Sequence, residues 1–197
     1  MEYKKYVIHL PERTDRYELM KKDLFVQYPE CNIFNALKDP EDGCRALSKG
    51  FRYLFMESLR TSEDMILTFE DDVKFTSPQS RKRFEEVYQT LPPDWDVFLG
   101  GIYMWDKPQI INDSLAKCRD FSGLHMALWR NTAFQKMLEH QPENGIKPAD
   151  IDRFISRTDL NVYICYPMVA VQYQTDSNIA KVARDLDSIL GDKKLFS

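Results

Sequence analysis

The stretch Met65-Ile-Leu-Thr-Phe-Glu-Asp-Asp-Val-Lys-Phe75 decides how the rest of the chain is read. Met65 to Phe69 is an apolar run with the length and composition of a buried strand. It stops at three consecutive carboxylates, Glu70, Asp71 and Asp72. A buried strand ending in three acids puts them at the edge of a sheet, where their repulsion is costly unless positive charge joins them. A hydrated divalent cation suits the place, because Mg²⁺ or Mn²⁺ prefers carboxylate oxygens and bridges to phosphates. A solvated turn is the bland alternative. Val73 and Phe75 alternate with Lys74, which returns the chain to apolar surroundings at once and favours a held site.

Upstream, Tyr3 to Leu10 reads as a first strand halted by Pro11, followed by a helix from Thr14 or Asp15 to about Val26. Ile33 to Ala36 reads as a short second strand. Leu47, Phe51, Leu54, Phe55 and Leu59 give a helix over Cys44 to Leu59. Downstream, a helix opens at Ser77-Pro78 and ends at Pro92-Pro93, and Asp96 to Gly101 is a further strand. Residues 102–122 are a loop with one or two short strands. Gly123 to Trp129 is a strand, Asn131 caps a helix to about His140, and Pro142 to Pro148 is a loop. Ala149 to Arg157 is a short helix, Val162 to Val171 is strand-like around Pro167, and Ile179 to Leu190 is a polar helix. Strands alternating with helices predict a single α/β domain over residues 1–197 with a largely parallel sheet. Ligands bind beyond the carboxyl ends of such strands. Glu70-Asp71-Asp72, Leu10-Pro11-Glu12-Arg13 and Asn35-Ala36 sit at three of those ends.

With 43% hydrophobic and 13% aromatic residues the chain is built for a large core and is not a disordered one. A formal charge of −4 gives no global pull toward nucleic acid or anionic membrane. Cys31, Cys44, Cys118 and Cys165 lack metal-like spacing and read as reduced thiols. No apolar run reaches a membrane span or a signal core, so the expected location is cytoplasmic.

Arg13 and Arg16 lie in the first loop and the first helical turn, where an arginine fork and backbone N–H groups suit phosphate. A solvated helix start with an Asp15–Arg16 pair is the alternative. No P-loop and no G-x-G-x-x-G is present.

Six stretches, in order, resemble glycosyltransferase family 25, which includes bacterial lipooligosaccharide and collagen galactosyltransferases. They are Tyr6-Val-Ile-His-Leu-Pro-Glu-Arg-Thr-Asp-Arg16, Asn35-Ala36, Gly43-Cys44-Arg-Ala-Leu-Ser48, Ile66-Leu-Thr-Phe-Glu-Asp-Asp-Val73, Asp94-Trp-Asp-Val-Phe-Leu-Gly100 and Tyr166-Pro-Met-Val-Ala-Val-Gln172. The resemblance implies a GT-A-like fold, mostly parallel and flanked by helices. It also implies a nucleotide-sugar donor, usually UDP-linked, a Mn²⁺ or Mg²⁺ cofactor and inversion at the anomeric carbon. Glu70-Asp71-Asp72 then fills the D-x-D place, with Asp72 on the metal and Glu70 near the ribose or a metal-bound water. Leu10, Arg13, Asn35 and Ala36 lie around the nucleoside. The chain departs from the pattern at His9 for Asn, at Lys49 for His, at Leu124-His125-Met126-Ala127, and at Ser177-Asn178-Ile179. Lys49 either pairs with a phosphate or lies on the helix surface, and His125 is a core residue or a catalyst. Gln172, Asp176 and Asn178 remain open as the completing metal ligand.

Inverting transfer needs a base for the acceptor hydroxyl. Asp150 and Asp152, at i and i+2 at the start of a short helix, supply one, with N-capping as the other use of Asp150. The expected activity is transfer of a hexose to a glycan, lipid-linked sugar, protein side chain or modified nucleic-acid base. The alternatives are a non-catalytic nucleotide-sugar-binding module of the same fold, and a metal-dependent nucleotidyltransferase or phosphohydrolase using the same acids.

Overall fold

A computed structural model describes residues 3–104, 107–141 and 150–173. The sequence readings that fall on 142–149 and on 174–197, including Asp176, Asn178 and the polar helix, lie outside these residues. The strands are β1 (Lys4–His9), β2 (Asn32–Asn35), β3 (Met65–Glu70), β4 (Val73–Phe75), β5 (Val97–Met104), β6 (Gln109–Asn112), β7 (Leu115–Lys117), β8 (Phe121–Arg130), β9 (Val162–Cys165) and β10 (Ala170–Gln172). The helices are α1 (Thr14–Lys22), α2 (Leu24–Gln27), α3 (Gly43–Arg60), α4 (Ser80–Tyr88), α5 (Asn131–Met137) and α6 (Ile151–Ile155).

Eight strands form one sheet in the order β2-β1-β3-β8-β5-β9-β7-β6. Most run one way, and β8 and β7 run against them. Alternate residues serve opposite faces, as the pleat requires. Ile8, Ile66, Leu99, Trp129 and Ile164 pack under α3, α5 and α6. Val7, Leu67, Phe98, Leu128 and Cys165 pack under α1, α2 and α4. Both faces are covered, and this is why the strands read as continuous apolar runs.

Helix α3 forms where its apolar spacing predicts it. Asp42 caps it by accepting from Arg45 N at 3.1 Å. Phe55 on its inner face stacks on Phe134 and meets Trp129 edge-on, with centroids 5.5 and 5.0 Å away. Burying such a ring contributes about 2–3 kcal/mol.

Three readings are corrected. The helix expected over residues 14–26 breaks at Asp23, whose carboxylate accepts from Phe75 N and the Tyr173 hydroxyl. The strand expected over 162–171 is two strands in different sheets, because β10 leaves the main sheet to pair with β4. Asn131 does not cap α5 with its side chain, which bonds Asp64. All four cysteines are free thiols. Among the described residues no helix is long and apolar enough to cross a membrane.

Gly101 sits where β5 passes β10, and a Cβ there would run into the Ala170 carbonyl. Gly101→Ala should therefore lower the unfolding free energy by about 3 kcal/mol, since backbone rather than a side-chain tip must yield. Gly50→Ala, inside α3 with only Phe34 at 3.4 Å, should raise it by about 0.5–1 kcal/mol. Urea denaturation midpoints of the two variants check the contrast.

Candidate active site

Parallel pairing aligns the ends of β1, β2 and β3. Ile8 lies opposite Glu70, and His9 lies opposite Asn35. Beyond those ends is a cleft of about 310 Å³. Its apolar lining includes Leu10, Ala36, Leu37 and Leu47, and its charged lining includes Arg13, Arg16 and the whole acidic triplet. Gln172 closes one side, placed there because β10 pairs it with Val73.

Each acid of the triplet has its own set of partners, with Arg16 shared by Asp71 and Asp72. Glu70 accepts from His125 Nδ1 at 2.9 Å and from Leu124 N at 3.1 Å. Burial pushes its carboxyl up, but the bond and charge of His125, the Leu124 N–H and the Arg16 charge together outweigh this, and the net direction is down. Asp71 accepts from His9 Nδ1 at 2.9 Å and from Arg16 Nη1. Burial is again outweighed, by His9 first and then Arg16, so this carboxyl too is lowered. Asp72 Oδ2 accepts from Arg16 Nη2 at 2.8 Å and Gln172 Nε2 at 2.9 Å. Gln172 is itself fixed by the Tyr103 hydroxyl, which donates to its Oε1 at 2.6 Å. These contacts do not compensate Asp72. Burial, with the charges of Glu70 and Asp71 behind it, raises its carboxyl to about 6. Its Oδ1 is buried with no hydrogen-bond partner among the described residues.

The two candidate bases part company. Asp150 is exposed and its carboxylate accepts from the Cys44 thiol at 2.6 Å. It stands at the N-cap of α6 without making a side-chain cap bond. Asp152 accepts from Gly123 N at 2.6 Å and Arg153 N at 2.7 Å. Burial is the main cause that raises its carboxyl, with the charges of Asp150 and Glu70 adding to it. Consecutive backbone N–H groups of Gly123 and Leu124 thus hold Asp152 and Glu70 side by side. Gly123 has φ +79, and a side chain there would collide with the His125 ring.

Of the predicted donor-binding residues, Leu10, Arg13, Arg16, Ala36, Glu70 and Asp71 line the cleft. Lys49 and Asn35 do not. Lys49 is exposed on the α3 face away from Leu47 and Phe51, and Asn35 is exposed on edge strand β2. The Asp15–Arg16 pair of the alternative reading does not form: a fork from Arg13 to Asp15 holds the Asp15 carboxyl down at about 2, and Arg16 turns to the triplet. His9 and Tyr103 were not foreseen as site residues. A histidine closing an apolar strand beside an acid-ended one was the available signal for His9.

Among the described residues no three His, Cys, Asp or Glu side chains converge as a metal cage. The carboxylates of Asp72 and Glu70, with Asp72 Oδ1 unpartnered, still fit a hard cation of the kind held by one or two carboxylates plus substrate phosphates, whereas Gln172 turns its Nε2 to both carboxylates and its Oε1 to Tyr103.

The triplet makes opposite predictions for neighbouring acids. A carboxyl raised in the folded state favours folding at low pH and opposes it once ionised, so stability falls as pH rises from about 4 through about 6. Asp72→Asn should raise the unfolding free energy at pH 7.5 in EDTA by about 1–2 kcal/mol, with the gain vanishing toward pH 4. The lowered Asp71 contributes stability at neutral pH that is lost on acidification, and Asp71→Asn should cost about 2–4 kcal/mol. Denaturant unfolding across pH checks both, and a loss in both variants would contradict this assignment.

No protein-family model matches the chain, and no curated protein matches it in sequence. Among solved structures it is similar to a glycosyltransferase involved in the glycosylation of the major capsid of PBCV-1. That match has TM-score 0.59 and 8% identity, covering 91% of this chain and 96% of that one. It is also similar to A197 from STIV, with TM-score 0.52 and 14% identity, covering 87% and 86%. At these identities the likeness establishes the fold: a mixed α/β architecture shared with a glycosyltransferase.

Proposed function

We propose that the chain is a metal-dependent, inverting glycosyltransferase of the family 25 type, moving a sugar from a UDP-linked donor to an acceptor hydroxyl. The observation that carries this is Asp72, a buried strand-end carboxylate with one unpartnered oxygen on the wall of a cleft that also holds Arg13 and Arg16. The glycosyltransferase neighbour and the order of the six motifs support the same reading.

The apolar lining at Leu10, Ala36 and Leu47 suits a nucleoside, and the arginines suit its diphosphate. A bound Mn²⁺ or Mg²⁺ supplies positive charge to the departing diphosphate. Asp72 is its ligand in this reading, with Glu70 alongside. Asp152 is the base that takes the acceptor proton. Its raised carboxyl brings its basicity closer to neutral pH, and the Gly123 N–H fixes its direction.

Incubation with Mn²⁺ and a panel of nucleotide sugars should give a thermal shift with one UDP-sugar and slow release of UDP, both lost in EDTA and in Asp72→Ala. Binding without turnover would make the chain a non-catalytic module of the same fold, and pyrophosphate release would make it a nucleotidyltransferase. The two aspartates are separable by rate. Asp152→Asn should lower donor turnover about 10²–10⁴-fold, while Asp150→Asn should stay within a few-fold of wild type.

A further inference from the structure

Arg16 reaches the triplet from the first turn of α1, with Nη1 2.5 Å from Asp71 and Nη2 2.8 Å from Asp72. Its side chain is 11% exposed, and the residue also lines the cleft. A divalent cation taking both oxygens of Asp72 would meet a guanidinium already on Oδ2. Like charges that close repel strongly where solvent is scarce. With the guanidinium in place, Asp72 offers a cation only Oδ1. Each carboxylate that Arg16 holds has a second partner from elsewhere in the fold. Asp71 keeps His9, and Asp72 keeps Gln172. Departure of Arg16 therefore strands neither acid without a hydrogen bond.

We propose that Arg16 is an exchangeable counter-ion, which neutralises Asp71 and Asp72 in the ligand-free protein and passes to the donor's diphosphate when a divalent cation takes its place on Asp72. This rests on the nucleotide-sugar reading of the cleft. A guanidinium fork matches phosphate oxygens as it matches carboxylate oxygens, so the exchange replaces one paired contact with another. Carboxylates and diphosphate share one cleft, so rotation of a single side chain is enough. The consequence is coupling: metal alone must evict Arg16, diphosphate alone must draw it from two carboxylates, and both together do neither at a loss. Metal and donor then bind as a pair.

The test is Mn²⁺ binding without nucleotide, followed by the electron paramagnetic resonance of the free ion, in wild type, Arg16→Gln and Arg16→Lys. UDP binding in EDTA is measured by calorimetry on the same proteins. Arg16→Gln should bind Mn²⁺ about tenfold tighter than wild type and UDP about tenfold weaker, with Arg16→Lys between them. If Arg16→Gln binds Mn²⁺ no tighter while wild type still binds UDP with Mn²⁺, the exchange is overturned and the transferase reading stands. If wild type binds UDP under no condition, both fall. Should Arg16→Gln not fold, wild type alone decides. Its Mn²⁺ affinity must rise about tenfold at saturating UDP, after correction for the chelate formed in buffer, and an unchanged affinity refutes the exchange.

Discussion

Three carboxylates in a row at the end of a buried strand are the constraint around which this fold closes. Removing an ionised carboxylate from water costs several kcal/mol unless hydrogen bonds and opposite charge replace the solvent. One counter-charge does not serve all three: Arg16 bridges Asp71 and Asp72, while Glu70, the last residue of β3, turns to His125. The partners come from four elements. His125 and Leu124 N arrive from β8, His9 from β1, Arg16 from α1, and Gln172 from β10.

The topology carries these partners in. Because β8 runs antiparallel between β3 and β5, its early residues lie beside the end of β3, and Glu70 meets His125 and the Leu124 N–H there. The same segment holds Asp152 through Gly123 N, so one reversed strand links the β3 acid to the acid of α6. The small β10–β4 sheet does comparable work on the other side. It sets Gln172 against Val73, next to Asp72, and Tyr173 N closes on the Asp72 carbonyl at 2.7 Å.

Most of the framework was legible in the sequence, because it follows from short-range pattern. Apolar runs gave the strands, and the spacing of Leu47, Phe51, Leu54 and Phe55 gave α3. That same spacing already placed Lys49 on the opposite side of the helix, so its exposure needed only a helical wheel. The convergence of the acids with Leu10 and Ala36 on one cleft was legible as well. The partners of the acids were not. The His9–Asp71 and Glu70–His125 pairs join residues 62 and 55 positions apart, and the choice of Arg16 over Arg13 depends on the helix start. Asp23 shows the same limit: a helical pattern is broken by a carboxylate recruited to β4, and nothing local records it.

The compensation is also unequal, and the inequality has a direction. Glu70 and Asp71 are held below their ordinary range, so the fold gains from their ionisation. Asp72 is the most deeply buried of the triplet, 1% exposed, and it alone is pushed upward. A merely structural carboxylate at that depth is readily replaced by a neutral side chain of similar shape. Keeping an ionisable group where ionisation opposes folding makes physical sense when something outside the chain completes its shell. The unpartnered Oδ1 marks the open side of that shell, and Arg13 and Arg16 set positive charge in the same cleft. A cation and an anion that arrive together satisfy both sides at once, which neither does alone.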